Sequence, residues 1–200
     1  IGEQEVGRDD EAMSTYLGRL LNERGESVSA AESCTGGGLA FDWTSVAGSS
    51  AWFRESYVTY ANEAKVELVG VHPETLARWG AVSAQTACQM AQGAKRRSGA
   101  TYGVGITGIA GPGGGSEEKP VGTVHFALAT PEGTWHRHML FAGWDRFWVR
   151  RASVATGIAM VLWHMTGRLA SHGAHGPFQD EEGWELEGGP PERVQEHRPE

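Results

Sequence analysis

Cysteine is scarce in this chain: Cys34 and Cys88 are the only two in 200 residues, too few for a disulfide framework and in keeping with a reducing compartment. No apolar run approaches the roughly 18 residues that span a bilayer, which argues against a membrane as partner. The N-terminal stretch IGEQEVGRDDE is acidic, unlike the leader of a secreted protein, so the expected location is cytoplasmic. Positive charge is also in deficit. With 17 Lys and Arg against 25 Asp and Glu, the net charge of −8 is the wrong sign for a nucleic-acid backbone or an anionic membrane. The sequence has no GxxxxGKS/T loop and no complete GxGxxG opening a helix, so nucleotide binding by those motifs is unsupported. Eight histidines are present, yet no HExxH and no cysteine pair accompanies them; His136 and His138 only alternate along an expected strand. No metal and no cofactor is expected.

Glycine, by contrast, is abundant, and its densest stretch is GVGITGIAGPGGGSEEKPVGT at 103 to 123. Such a loop lets the backbone approach a ligand closely and adopt positive φ. A second small-residue turn, AESCTGGG at 31 to 38, lies between a short apolar segment and an expected helix. Around these turns the chain reads as alternating elements. Met13, Tyr16, Leu17, Leu20 and Leu21 have helical spacing and are followed by Gly25. SVSAAE at 27 to 32, RESYVTYA at 54 to 61 and TYGVGIT at 101 to 107 read as strands, and Ser33 or Thr35 is placed to cap a helix reaching Val46. Asn62, Pro73 and Ser83 open further helices, placing Lys65 in the first turn of one. VGTVHFALA and TWHRHMLFA flank Pro131-Glu132-Gly133 as a hairpin, and a long helix follows Asp145. The pattern predicts a three-layer α/β/α sandwich with a mixed, mostly parallel sheet of about five strands. Residues 1 to 170 form the expected domain, and 171 to 200, rich in Gly, Pro and acid, an expected disordered tail.

Ligands in such sheets sit outside the carboxyl ends of the strands, where Ser33 and Thr107 fall. Ser33 either caps a helix or acts as a nucleophile, with the N–H groups of Cys34, Thr35, Gly36 and Gly37 forming an oxyanion hole. Cys34 is either a rival nucleophile or a small buried filler. Lys65 is either solvated or, with its charge disfavoured by a helix N-terminus and a dry cleft, a neutral base. Tyr60, just before it, either packs or relays a proton. Thr107, Gly108, Gly111, Gly113 and Gly114 are placed to cradle a phosphate or a polar ring edge, and Arg146 and Arg150, one turn apart, to grip an anion or to pair on the surface.

The segments ESCTGG at 32 to 37, VTYANEAK at 58 to 65, the glycine loop at 102 to 124 and Asp145-Arg146 together resemble the CinA C-terminal domain family. That family includes amidases that convert nicotinamide mononucleotide to nicotinate mononucleotide and ammonia. The resemblance implies a serine amidase with Ser33 as nucleophile assisted by Lys65 and Tyr60, the ligand loop at Thr107 onward, Arg146 near the substrate phosphate, and Arg150 as its substitute. It also implies a homo-oligomer, and the acidic charge predicts no nucleic-acid and no membrane partner. The alternative function is a non-catalytic nucleotide-binding or competence-associated module.

Overall fold

The computed structural model describes residues 3 to 178 and the backbone of residues 192 and 193; side chains are described from residue 10 to residue 178. Helix α1 covers Glu3–Arg24, starting earlier than the apolar spacing predicts. Its inner face carries the fully buried Leu17 and Leu21, and Gly25 ends it in the left-handed conformation. Strand β1, Val28–Glu32, is buried at every position. Helix α2 spans Gly38–Thr44 and the edge strand β2 spans Phe53–Val58. Between them Trp43 and Trp52, both buried, meet edge to face at 6.5 Å.

Helices α3, Asn62–Val69, α4, Pro73–Trp79, and α5, Ala84–Ser98, follow in succession. The Ser83 hydroxyl caps α5 by accepting from the Thr86 N–H, as expected, whereas Asn62 is the first residue of α3 and Ala61 its cap. Strands β3, Tyr102–Gly108, β4, Thr123–Thr130, and β5, Gly133–Leu140, precede the long helix α6, Arg146–Met165. Asp145 caps α6 by accepting from Trp148 N–H at 3.0 Å.

The strand order is β2, β1, β3, β4, β5, then β6 at His175–Phe178, with the two-residue β7, Glu192–Arg193, also beside β5. The five expected strands are present, and the class is the expected mixed α/β. Two details differ. Pairing is parallel among β2, β1 and β3 but antiparallel from β3 through β6, so the sheet is not mostly parallel. The expected disordered tail from residue 171 does not begin there: His175–Phe178 adds a strand along β5, whose outer edge offers unpaired backbone groups to any following segment. Apart from β7, the remainder of that expected tail lies outside the described residues.

Side chains alternate across β3 and thereby separate the layers. Ile106 points to α6, where it meets Gly157, while Gly103 and Gly105 face α5. A methyl group at either glycine would stand 2.2 Å from a backbone oxygen of Ala91 or Ala87, so absent side chains let α5 lie directly on the sheet. Helices α1, α2 and α6 touch one another on one side, and α3 and α4 gather on α5 on the other. Because β2, β1 and β3 run parallel, Val58, Glu32 and Gly108 end at one rim. Among the described residues no helix is long and apolar enough to cross a membrane.

Candidate active site

At that rim Ser33 leaves β1 and Lys65 enters from the first turns of α3. The Lys65 side chain is 1% exposed, and its Nζ donates to Thr59 O at 2.8 Å and to Tyr60 O at 3.2 Å. A third contact runs from Nζ to Ser33 Oγ at 3.2 Å. Carbonyl oxygens can only accept, so they hold two amine protons and turn the remaining direction of the nitrogen toward the serine. As an ammonium, Lys65 donates there; as a neutral amine it presents its lone pair and accepts the serine proton. Burial lowers the Lys65 pKa, opposed in part by the negative charge of the neighbouring Glu63 carboxylate. The arrangement can therefore perform proton abstraction from a hydroxyl.

The turn after Ser33 differs from the expected helix start. Neither Ser33 nor Thr35 caps α2; its cap is Gly37, left-handed at φ 91 and without a side-chain bond. The capping group is Glu32. Its fully buried carboxylate accepts at Oε2 from Gly37 N–H and Leu39 N–H, and at Oε1 from Ala40 N–H and the Ser56 hydroxyl, at 3.0 to 3.1 Å. Four donors on one carboxylate use the amides at the positive end of α2. Gly36 N–H is also engaged, donating to Ser33 O at 3.1 Å. The oxyanion hole expected from four consecutive amides is thus reduced: Gly36 and Gly37 are taken, whereas Cys34 and Thr35 N–H have no acceptor among the described residues.

Cys34 is buried. Burial pushes its thiol up to about 12, and the Glu32 carboxylate adds to the rise against the opposing charges of Arg150 and Arg146. Such a thiol stays protonated near neutrality and is a poor nucleophile. Tyr60 is corrected in part. Its side chain is 60% exposed, and its hydroxyl accepts from Arg146 Nη2 at 3.2 Å rather than joining Ser33 or Lys65. The carbonyl of Tyr60, not its phenol, touches the lysine.

Arg146 also donates from Nη1 to Gly111 O at 2.7 Å, tying the glycine loop to the start of α6. Gly113 and Gly114 lie in the exposed part of that loop, while Gly108 is the last residue of β3, packed against Thr123 and Val124. Thr107 is not free for a ligand: it is buried, and its hydroxyl donates to Ala81 O at 2.7 Å. Arg150 is likewise committed elsewhere than expected, donating from Nε to Cys34 O at 3.1 Å and from Nη2 to Thr35 O at 2.9 Å. Its guanidinium holds the turn after Ser33 instead of standing free for a phosphate.

Sequence reasoning missed Glu32 and Ser56. A carboxylate ending a buried small-residue strand, six residues before the first residue of a helix whose cap position is glycine, was the available signal for Glu32. Ser56 had none, because β2 meets β1 only in the folded sheet. The histidines of β4 and β5 contact one another: His125 Nδ1 lies 3.0 Å from His136 Nε2, and His125 stacks on His138 at 4.1 Å. Among the described residues, no group of three or more His, Cys, Asp or Glu is arranged to hold a metal ion.

Comparison with known proteins places this geometry. The family model described as the CinA C-terminal domain matches residues 10–165. A protein of Escherichia coli named nicotinamide-nucleotide amidohydrolase PncC is 52% identical over 152 residues, covering 76% of this chain and 91% of that protein. A CinA-like protein of Cyanothece sp. is 48% identical over 153 residues, 76% of this chain but 37% of the relative. The chain spans about two fifths of the length of the longer curated relatives, 37% and 40% for two of them. Among solved structures, the competence/damage inducible protein CihA from Agrobacterium tumefaciens superposes with a TM-score of 0.76 at 46% identity, covering 79% of this chain and 96% of that one. With a family match over most of its length, relatives near half identical and the same fold in a solved structure, the chain belongs to the CinA C-terminal domain family.

Proposed function

We propose that this chain is a serine amidohydrolase that converts nicotinamide mononucleotide to nicotinate mononucleotide and ammonia, with Ser33 as nucleophile and Lys65 as general base. The observation that carries the reading is the Lys65 amine, held by two carbonyls with its third direction on Ser33 Oγ. The substrate class comes from the name of the 52% identical relative. Neutral Lys65 takes the Ser33 proton as Oγ bonds to the carboxamide carbon. The oxyanion that forms is met by the Cys34 and Thr35 amides, each worth roughly 3 kcal/mol in acyl transfer. Lys65 then returns its proton to the departing nitrogen, the C–N bond breaks, and ammonia leaves an acyl ester on Ser33. Water attacks the ester, giving a proton to Lys65 that passes back to Ser33 as the acid is released.

Arg146, on the exposed side of the serine with Tyr60, supplies a cation for the substrate phosphate. The reading includes assembly into a homo-oligomer, which light scattering tests. Incubating the purified chain with nicotinamide mononucleotide and measuring ammonia decides the activity. Turnover lost in Ser33→Ala and kept in Cys34→Ala supports it. Tight binding of the nucleotide without any ammonia would instead identify a binding module.

A further inference from the structure

We propose that Arg150 is a positioning residue for the oxyanion hole, setting the Thr35 N–H through the carbonyl of Cys34; this deepens, and rests on, the Ser33 hydrolase reading. The Arg150 fork places two adjacent nitrogens on two successive carbonyls, Nε on Cys34 O at 3.1 Å and Nη2 on Thr35 O at 2.9 Å. The peptide bond between Cys34 and Thr35 is trans, so its C=O and N–H point in opposite directions across one rigid plane. Gripping Cys34 O from the α6 side therefore turns Thr35 N–H away from α6. The same peptide is one of two in the turn whose N–H has no acceptor among the described residues.

Two further bonds hold this turn in shape. Gly36 N–H donates to Ser33 O and Gly38 N–H to Thr35 O, at 3.1 and 3.2 Å, closing successive turns that leave the Cys34 and Thr35 amides in the place of orphan donors at a helix start. A cationic donor on Cys34 O also polarises the peptide and strengthens its N–H as a donor. Gly36 makes room for the guanidinium. Gly36 is left-handed at φ 61, and a Cβ there would lie 3.3 Å from Arg150 Nη2, a contact the guanidinium could relieve only by a small shift. Arg150 thus acts on the reaction through the backbone, without touching substrate.

A lysine at 150 keeps the charge but replaces the rigid planar fork with a single nitrogen on a flexible stem, so Arg150→Lys separates positioning from electrostatic attraction. Two readouts are taken on variants whose melting confirms folding: kcat and KM for ammonia release, and the rate at which a fluorophosphonate labels Ser33, located by peptide mass spectrometry. The expected result is a fall in kcat of about 10²-fold with KM within about twofold, and labelling slowed in parallel. Guanidinium added to Arg150→Gly should restore part of the labelling rate. A raised KM at unchanged kcat in Arg150→Lys would make Arg150 a substrate ligand and overturn the inference. So would labelling at the wild-type rate in Arg150→Lys, or absence of Ser33 labelling in the wild type. Wild-type labelling without ammonia release would instead sink the nicotinamide mononucleotide reading, and the labelling ratio would still judge Arg150.

Discussion

The side chains of Glu32 and Ser33, adjacent in sequence, leave the end of β1 in opposite directions: the carboxylate accepts from the first amides of α2, and the hydroxyl meets Lys65 on α3. Strand alternation delivers each to a different helical layer. One residue builds the turn, and the next is the proposed nucleophile.

Glu32→Gln keeps the shape but turns one acceptor into a donor facing amides that also donate. Four bonds to a buried carboxylate are disturbed. The expected loss is about 3 kcal/mol of folding stability by denaturant titration, with reduced turnover. Unchanged stability would show that α2 is held by other means.

Activity should rise with pH, because only the deprotonated amine of Lys65 can take the serine proton. Burial lowers its pKa, so the rise in kcat/KM falls below the pH at which an ordinary lysine titrates. Lys65→Met should lower kcat by about 10³-fold or more and abolish that limb. A limb that survives the substitution would assign the base to another group.

Arg146→Ala should mainly raise KM for nicotinamide mononucleotide, by about tenfold for the loss of one charge-assisted contact. It also releases Tyr60 and Gly111 O. Measured KM equal to wild type would remove Arg146 from substrate binding.

Acid should destabilise the fold through the histidines of β4 and β5. Burial holds His136 down at about 3 from its ordinary 6.5, with the charges of His138 and His175 adding to the effect, and His125 and His138 are lowered as well. The unfolded chain then binds more protons than the native one, so stability present above the ordinary value is lost as pH falls below it. His136 alone accounts for about 1.4 kcal/mol per pH unit in that window. Thermal melts from neutrality toward pH 4 test this, and His136→Gln should flatten the slope; an unaltered slope would place the acid sensitivity elsewhere.

Thr35→Val should be neutral or stabilising by up to about 1 kcal/mol. Its Oγ1 is buried without a hydrogen-bond partner among the described residues, so a methyl in its place removes an uncompensated polar atom. Ammonia release should be unaffected; a large fall in kcat would give the hydroxyl a part in the site.

The order of elements could be read from the chain because it is local information. The spacing of Leu17 and Leu21, the cap at Ser83 and the short apolar strands at 28 to 32 and 102 to 108 each act within a few residues. Ser33 is likewise marked by a small-residue turn at a strand end, and Lys65 by its place in the first turn of a helix. The strand added at His175–Phe178 was hidden, since Gly-Pro composition says nothing of an open edge on β5 waiting to be paired.

Which groups remain free was beyond the reach of the sequence. Arg150, Thr107 and the amides of Gly36 and Gly37 have the right chemistry to meet a ligand, and each is already satisfied by a partner that the folded chain brings near. Residue type and local spacing establish what a group can donate or accept. Long-range packing, here α6 laid across the turn after β1 and α3 carried to its far side, sets where that capacity is used, because a buried polar group takes the nearest partner that replaces water.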